Sequence, residues 1–133
     1  MKFDYQPDTS KEDLMLAQKV WAVIGANQNP RKFGNKIYRK LKNNNYKVFA
    51  VNPFYQTVDD DPCYASLTDL PEKPAVLDMV VSPAKGIPFI KEAAALGIQY
   101  IWLQPGTYDD SVMSLIDELG LTAVQACVLV AIR

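Results

Sequence analysis

The sequence predicts an α/β chain: a three-layer, doubly wound parallel sheet of about five strands in the order 3-2-1-4-5. Three observations predict it. Short runs rich in β-branched and apolar residues alternate with segments whose apolar residues recur at helical spacing, as βαβ crossovers require. The first run, Val20 to Ile24, is apolar along its whole length, as a strand buried on both faces is. The strand-like runs also stop at small or prolyl turns, at Gly25, Pro53, Pro83 and Pro105. Right-handed crossovers then wind such a sheet in both directions from its first strand.

The first nine residues read as a loose lead-in, and Ser10 with Asp13 as a capping box opening a helix that reaches Lys19. Val20 to Ile24, closed by Gly25, is the first strand. A polar loop follows, and Ile37, Tyr38 and Leu41 mark a helix from about Asn35 to Asn43. Asn43-Asn44-Asn45 ends it, because Asn tolerates the left-handed conformation that helix ends need. Lys47 to Val51 is the second strand, stopped by Asn52-Pro53. From Phe54 to Pro74 the pattern is irregular. Its acidic run, Asp59-Asp60-Asp61, aims carboxylates in different directions and reads as an exposed turn rather than a metal site. Ser66 to Leu70 reads as one helical turn. Val76 to Val81 is the third strand, and a helix from about Ile87 to Leu96 follows with Pro88 in its first turn and Gly97 at its end. Ile98 to Leu103 is the fourth strand. Thr107 with Asp110 caps a helix running to Leu119, Leu121 to Gln125 is the fifth strand, and Cys127 to Arg133 is a short apolar tail.

At 133 residues, 49% hydrophobic and 22% charged, the chain has the size and composition of one globular domain over residues 1–133, with 1–19 as lead-in and N-terminal helix. A formal net charge of −1 gives no bulk attraction to nucleic acid or to an anionic membrane. No apolar run is long enough to span a bilayer and the polar start has no signal-peptide core, so a cytoplasmic location is expected. There Cys63 and Cys127 are expected as reduced thiols. The chain has no histidine. That removes the commonest general base near neutral pH and the commonest transition-metal ligand, and with them Ser-His-Asp and Cys-His catalysis. No metal site is expected.

In a doubly wound sheet, ligands lie beyond the carboxyl ends of the strands. Strand, glycine-bounded loop and helix, as in Val20 to Asn35, aim backbone N–H groups at an anion. Gly25 and Gly34 have eight residues between them, which fits neither the dinucleotide fingerprint nor the Walker pattern. Arg31 and Lys32 at the loop tip are candidate phosphate readers. Lys85, at a helix start, reads as a solvated lysine within reach of the same ligand. The second strand ends at Asn52-Pro53, with no carboxylate before Asp59. An NAD site wants an acid there, whereas a phosphorylated ribose would be repelled by one.

Several motifs taken together carry a resemblance: A-V-I-G-A-N, V-F-A-V-N-P, P-C-Y-A-S-L-T-D-L-P, D-M-V-V-S-P-A, I-W-L-Q-P-G and the late Cys127. From about Trp21 to Ile132 the chain resembles the small CoA-binding domain proteins. These stand-alone domains are similar to the amino-terminal CoA-binding domain of the succinyl-CoA synthetase α subunit. The resemblance implies a Rossmann-like fold and a pocket for CoA or an acyl-CoA, with no metal. It implies a phosphate loop at Gly25, Ala26, Asn27, Arg31, Lys32, Phe33 and Gly34. It implies an adenosine-side wall at Val51, Asn52 and Pro53. The remaining walls fall at Ser82, Pro83 and Ala84 and at Gln104, Pro105 and Gly106. The chain departs from the family where Ser and Tyr often precede the loop glycine, having Lys32-Phe33, and where Asp-Arg often precedes the cysteine, having Gln125-Ala126. The synthetase's phosphorylated histidine belongs to a domain not represented in this sequence, so its ligase chemistry does not carry over.

The expected function is therefore binding of CoA or a CoA thioester, as carrier or sensor, without catalysis of its own. Two alternatives stand beside it: a nicotinamide- or flavin-dependent oxidoreductase, and a protein-interaction module that keeps the fold but has lost the ligand. The acyl group, the pathway, and whether the chain forms a homodimer or meets another protein stay open.

Overall fold

The structure, a computed structural model, describes residues 9–132. Most of the expected lead-in, and Arg133, lie outside the described residues. Along the chain, α1 (Thr9–Leu16) precedes β1 (Val20–Ile24), and α2 (Phe33–Lys42) returns the chain to β2 (Lys47–Val51). A hairpin of β3 (Thr57–Val58) and β4 (Asp61–Tyr64) follows. Then come β5 (Val76–Met79), α3 (Pro83–Ala95), β6 (Tyr100–Leu103), α4 (Asp110–Glu118), β7 (Thr122–Gln125) and the short α5 (Val128–Ala131).

The chain is α/β with a Rossmann-like, mostly parallel sheet, but the expected strand count and order are corrected. Seven strands lie in the order β3-β4-β2-β1-β5-β6-β7. All neighbours pair in parallel except β3, which is antiparallel to β4. The strand expected as third, β5, pairs with β1 on the side away from β2, and the place beyond β2 belongs to β4. Numbering only the parallel strands along the chain gives 3-2-1-4-5-6, the dinucleotide-fold order, with its switch point beside β1.

The hairpin that adds β4 is built on the acidic run. Asp59 and Asp60 have φ of 53° and 65°, the positive pair that a two-residue hairpin turn needs. It is a turn with Asp60 exposed and its half-buried neighbours clamped from α2: Lys42 Nζ lies 3.1 Å from Asp59 Oδ2 and 2.8 Å from Asp61 Oδ2. The Tyr38 hydroxyl donates to Asp61 Oδ2 at 2.7 Å. Burial opposes ionisation of Asp61, but the Lys42 and Tyr38 hydrogen bonds outweigh it and hold its pKa below the ordinary value.

Four local expectations shift. Helix α1 begins at Thr9, so Ser10 lies within it rather than capping it. Helix α3 begins at Pro83, not Ile87: proline suits a first turn, Ser82 becomes the N-cap, and Pro88 falls inside the helix. Helix α4 is capped by Asp109, whose Oδ1 accepts the Val112 N–H at 2.9 Å, while the Thr107 hydroxyl donates to the Gln104 carbonyl at 2.7 Å instead. Residues 66–70 turn without a helix, because Glu92 of α3 takes their donors: the Leu67 and Thr68 N–H groups and the Thr68 hydroxyl. The apolar tail holds α5.

Strand alternation gives the sheet two buried faces. Trp21, Val23, Val76, Trp102 and Val124 pack against Met15 of α1, Ile37, Tyr38 and Leu41 of α2, and Val128 of α5. Ala22, Ile24, Leu77, Met79, Ile101 and Leu103 pack against Ile90 and Ala93 of α3 and Val112 and Ile116 of α4. The helices leave the carboxyl ends of β1, β2, β5 and β6 open on one rim.

Candidate functional site: a two-chambered groove on the sheet rim

The rim is built around two glycines that bring backbone against backbone. Gly25 ends β1 with φ +98°, and a Cβ there would stand 2.6 Å from the Val80 carbonyl oxygen. Gly34, in the first turn of α2, would place a Cβ 2.0 Å from the Gly25 carbonyl oxygen. The start of α2 is thus pressed onto the end of β1, and no residue with a side chain fits at either point.

Between the glycines the loop is held by its asparagines. Asn27 Oδ1 accepts the Asn29 N–H at 2.8 Å, and Asn29 Oδ1 accepts the Arg31 N–H at 3.0 Å. Asn35 Nδ2 donates to the Asn27 carbonyl at 2.9 Å. At the end of β2, Asn52 Nδ2 donates to the Ala26 carbonyl at 2.9 Å while its Oδ1 accepts the Phe54 N–H at 2.9 Å. The polar neutral end of β2 is therefore a tie between two rim loops.

Two chambers open on this rim. The first, of about 540 Å³, lies over the ends of β1 and β2 and is bounded by Gly25, Asn27, Val51, Asn52 and Pro53. Phe54, Tyr55, Val81, Lys85 and Phe89 complete it. The second, of about 410 Å³, lies between the start of α2 and the ends of β5 and β6. Lys32, Phe33 and Gly34 form one wall, Gln104, Pro105 and Gly106 another, with Ser82, Thr107 and Cys127 between them. Gly25, Asn27 and Val81 belong to both chambers, so the two adjoin along one rim groove. Each chamber has one lysine, and neither has a carboxylate on its wall.

Most of the residues singled out from sequence meet on this groove. Four do not reach its walls. Ala26 is buried beneath the loop, Arg31 is exposed at its tip, and Pro83 and Ala84 form the first turn of α3. Sequence reading missed Phe54, Tyr55, Val81 and Phe89 in the first chamber, and Ile37, Val80 and Thr107 in the second. Phe54 on its rim loop and Phe33 at the first position of α2, 82% and 63% exposed, are large apolar side chains next to polar residues at the groove, which is a signal a sequence can carry. The departures at Gln125-Ala126 lie off both walls: the Ala126 carbonyl accepts the Trp102 indole N–H at 2.9 Å.

Both cysteines are free. Cys63 stands off the groove and donates to the Asn52 carbonyl at 3.6 Å. Burial pushes its thiol pKa up, against smaller lowering by backbone hydrogen bonds at Asn52 and Tyr64, so it is poorly nucleophilic. Among the described residues, no three His, Cys, Asp or Glu side chains are grouped to hold a metal ion, and no helix is long and apolar enough to cross a membrane.

A family model described as a CoA binding domain matches residues 19–133. The chain belongs to the CoA binding domain family. Two curated relatives come from Archaeoglobus fulgidus. Acetate–CoA ligase [ADP-forming] I is 44% identical over 70 residues, and acetate–CoA ligase [ADP-forming] II is 35% identical over 102 residues. These matches take up 53% and 74% of this chain but only 10% and 15% of the ligases, so the chain spans a small part of their length. Among solved structures, a hypothetical protein from Pyrococcus horikoshii OT3 superposes with a TM-score of 0.87 at 28% identity, over 98% of this chain and 96% of that one. The fold of the CoA binding domain family and the rim groove thus come together in one chain.

Proposed function

We propose that the chain binds CoA or an acyl-CoA along this groove, as one domain, and acts as a carrier or sensor without catalysis of its own. The observation that carries the reading is the groove itself, whose two joined chambers have a lysine each and no acid. A long ligand bearing phosphates at separated points would meet a cation in either chamber and no repelling carboxylate. In this reading Gly25, Ala26 and Asn27, with Lys32, Phe33 and Gly34, form the phosphate side, and Arg31 adds charge from the loop tip. Val51, Asn52 and Pro53 form the adenosine side. Ser82, Pro83 and Ala84 and then Gln104, Pro105 and Gly106 complete the enclosure. The ligand is a small molecule, and neither nucleic acid, membrane nor metal has a part in it.

The lysines test it. Charge-assisted hydrogen bonds contribute roughly 1.5–3 kcal/mol each, so Lys32→Ala and Lys85→Ala should each weaken CoA binding about tenfold or more in calorimetry. Arg31→Ala, off the walls, should have a smaller effect. All three variants should keep their stability to within about half a kcal/mol, as exposed sites do. Unchanged affinity in the Lys32→Ala, Lys85→Ala double variant would move the phosphates elsewhere and overturn the reading.

A further inference from the structure

Among the described residues, Asp78 is the one carboxylate that is fully buried. Strand alternation places it on the α2 and α5 face of β5, between Val23 of β1 and Trp102 of β6. Its Oδ1 accepts a hydrogen bond from Gln104 Nε2 at 2.7 Å, and its Oδ2 has no partner. Gln104 in turn accepts, through Oε1, the N–H of Val128 at 3.2 Å, the first residue of α5. Gln104 lines the second chamber, and so does Cys127, the residue before Val128. One amide therefore ties the middle of β5 both to a chamber wall and to the element that sets the far corner of that chamber.

A neutral carboxyl accepting this one bond leaves only its hydroxyl without a partner, whereas an ionised one buried with a single donor is strongly disfavoured. Burial pushes the Asp78 pKa up to about 8 against the opposing Gln104 bond, and no ionised side chain contributes. The packed neighbours bear this out. β1 and β6 present Val23 and Trp102, and α5 presents Val128. Helix α2 carries Ile37 and Tyr38 on this face, and the Tyr38 hydroxyl is held by Asp61. Lys32 and Cys127 are the titratable groups on the wall that Gln104 shares.

We propose that Asp78 is a positioning residue for the second chamber, acting through Gln104, and that the chamber keeps its ligand-binding shape only while the Asp78 carboxyl holds its proton. Once ionised, the carboxylate needs further donors, but the Val23 and Val128 side chains have none and the Trp102 indole N–H is already given to the Ala126 carbonyl. The carboxylate gains them by drawing the Gln104 amide off Val128 or by admitting water past it, and either change moves the wall. The proposal rests on the reading of the groove as a CoA site.

Calorimetric titration of the full chain with CoA between pH 6 and pH 9, beside Asp78→Asn, tests it. Asparagine has the same shape and accepts from Gln104 but does not ionise. Comparing the two proteins cancels the titration of CoA itself. Affinity of the unsubstituted protein should hold to about pH 7 and fall about tenfold by pH 9, and that of Asp78→Asn should lose this component. The same pH dependence in both would overturn the proposal. No binding of CoA by the unsubstituted protein at any pH would overturn the functional reading and this proposal with it. A second measurement needs no variant: the carboxyl carbon resonance of Asp78 in labelled protein, followed against pH. Saturating CoA should move its midpoint upward, by the reciprocity of linked equilibria. An unmoved midpoint in a protein that binds CoA would overturn the proposal.

Discussion

Gly34→Ala is expected to destabilise the chain by about 3 kcal/mol or more, near the top of the range for a single added methyl group. The added Cβ would stand 2.0 Å from the Gly25 carbonyl oxygen, and the atom it meets is backbone, which no rotamer change can remove. Relief requires α2 to lift off β1, and that opens the packing of Ile37, Tyr38 and Leu41 against the sheet. Gly106→Ala is the control. Gly106 has φ +85° but open space around its Cβ position, so alanine there meets only left-handed strain, about 1–2 kcal/mol. Urea denaturation of the two variants separates the causes. Equal losses would mean that the close approach of α2 and β1 is not what requires glycine.

Asp78→Asn is expected to change how stability depends on pH. An aspartate in the unfolded chain ionises near pH 3.9, whereas in the folded chain burial raises the value to about 8. Between those values the folded state holds a proton that the unfolded state has released, so stability falls as pH rises through the window. The favourable contribution is complete below the lower value and lost by the upper one. The slope is about 1.4 kcal/mol per pH unit, or roughly 3 kcal/mol between pH 5 and pH 7.5. Asparagine removes this component, so the variant's denaturation midpoint should gain on the unsubstituted protein steadily across that range. Parallel pH profiles would show that Asp78 is ionised in the folded chain.

What was legible in the sequence followed from local rules. The apolar run closed by Gly25 is β1, Lys47 to Val51 is β2, and the turn at Asp59-Asp60-Asp61 is a turn, because each depends on residues next to one another. The strand β4 was not legible. D-P-C-Y carries two poor strand formers, and it pairs with β2 only at Ala50 with Cys63 and Val51 with Tyr64. Its existence depends on the hairpin turn and on the α2 clamp of Tyr38 and Lys42, contacts distant in sequence. Missing it shifted the strand order by one place.

The groove was half legible for a related reason. Its rim loops are strand ends, and those can be read directly. The side chains that helices send into it depend on where each helix starts. With α3 expected from about Ile87, Lys85 reads as a solvated lysine at the helix start; with α3 starting at Pro83, Lys85 and Phe89 stand four apart on one helical face, and both line the first chamber. Gln104 was read as a rim residue for its position, while its bond to Asp78 is a tertiary contact that no spacing in the chain announces.

Thermal melting with three ligands tests the central claim most directly: CoA, dephospho-CoA and NAD, each at about a hundredfold excess over the CoA dissociation constant. A ligand that binds only the folded state adds about 2.7 kcal/mol at that excess, a rise in midpoint on the order of 5 °C for a domain of this size. The account predicts that rise with CoA, a smaller one with dephospho-CoA, which lacks only the ribose phosphate, and the smallest with NAD. A larger shift with NAD than with CoA, or no shift with CoA at millimolar concentration, would contradict it.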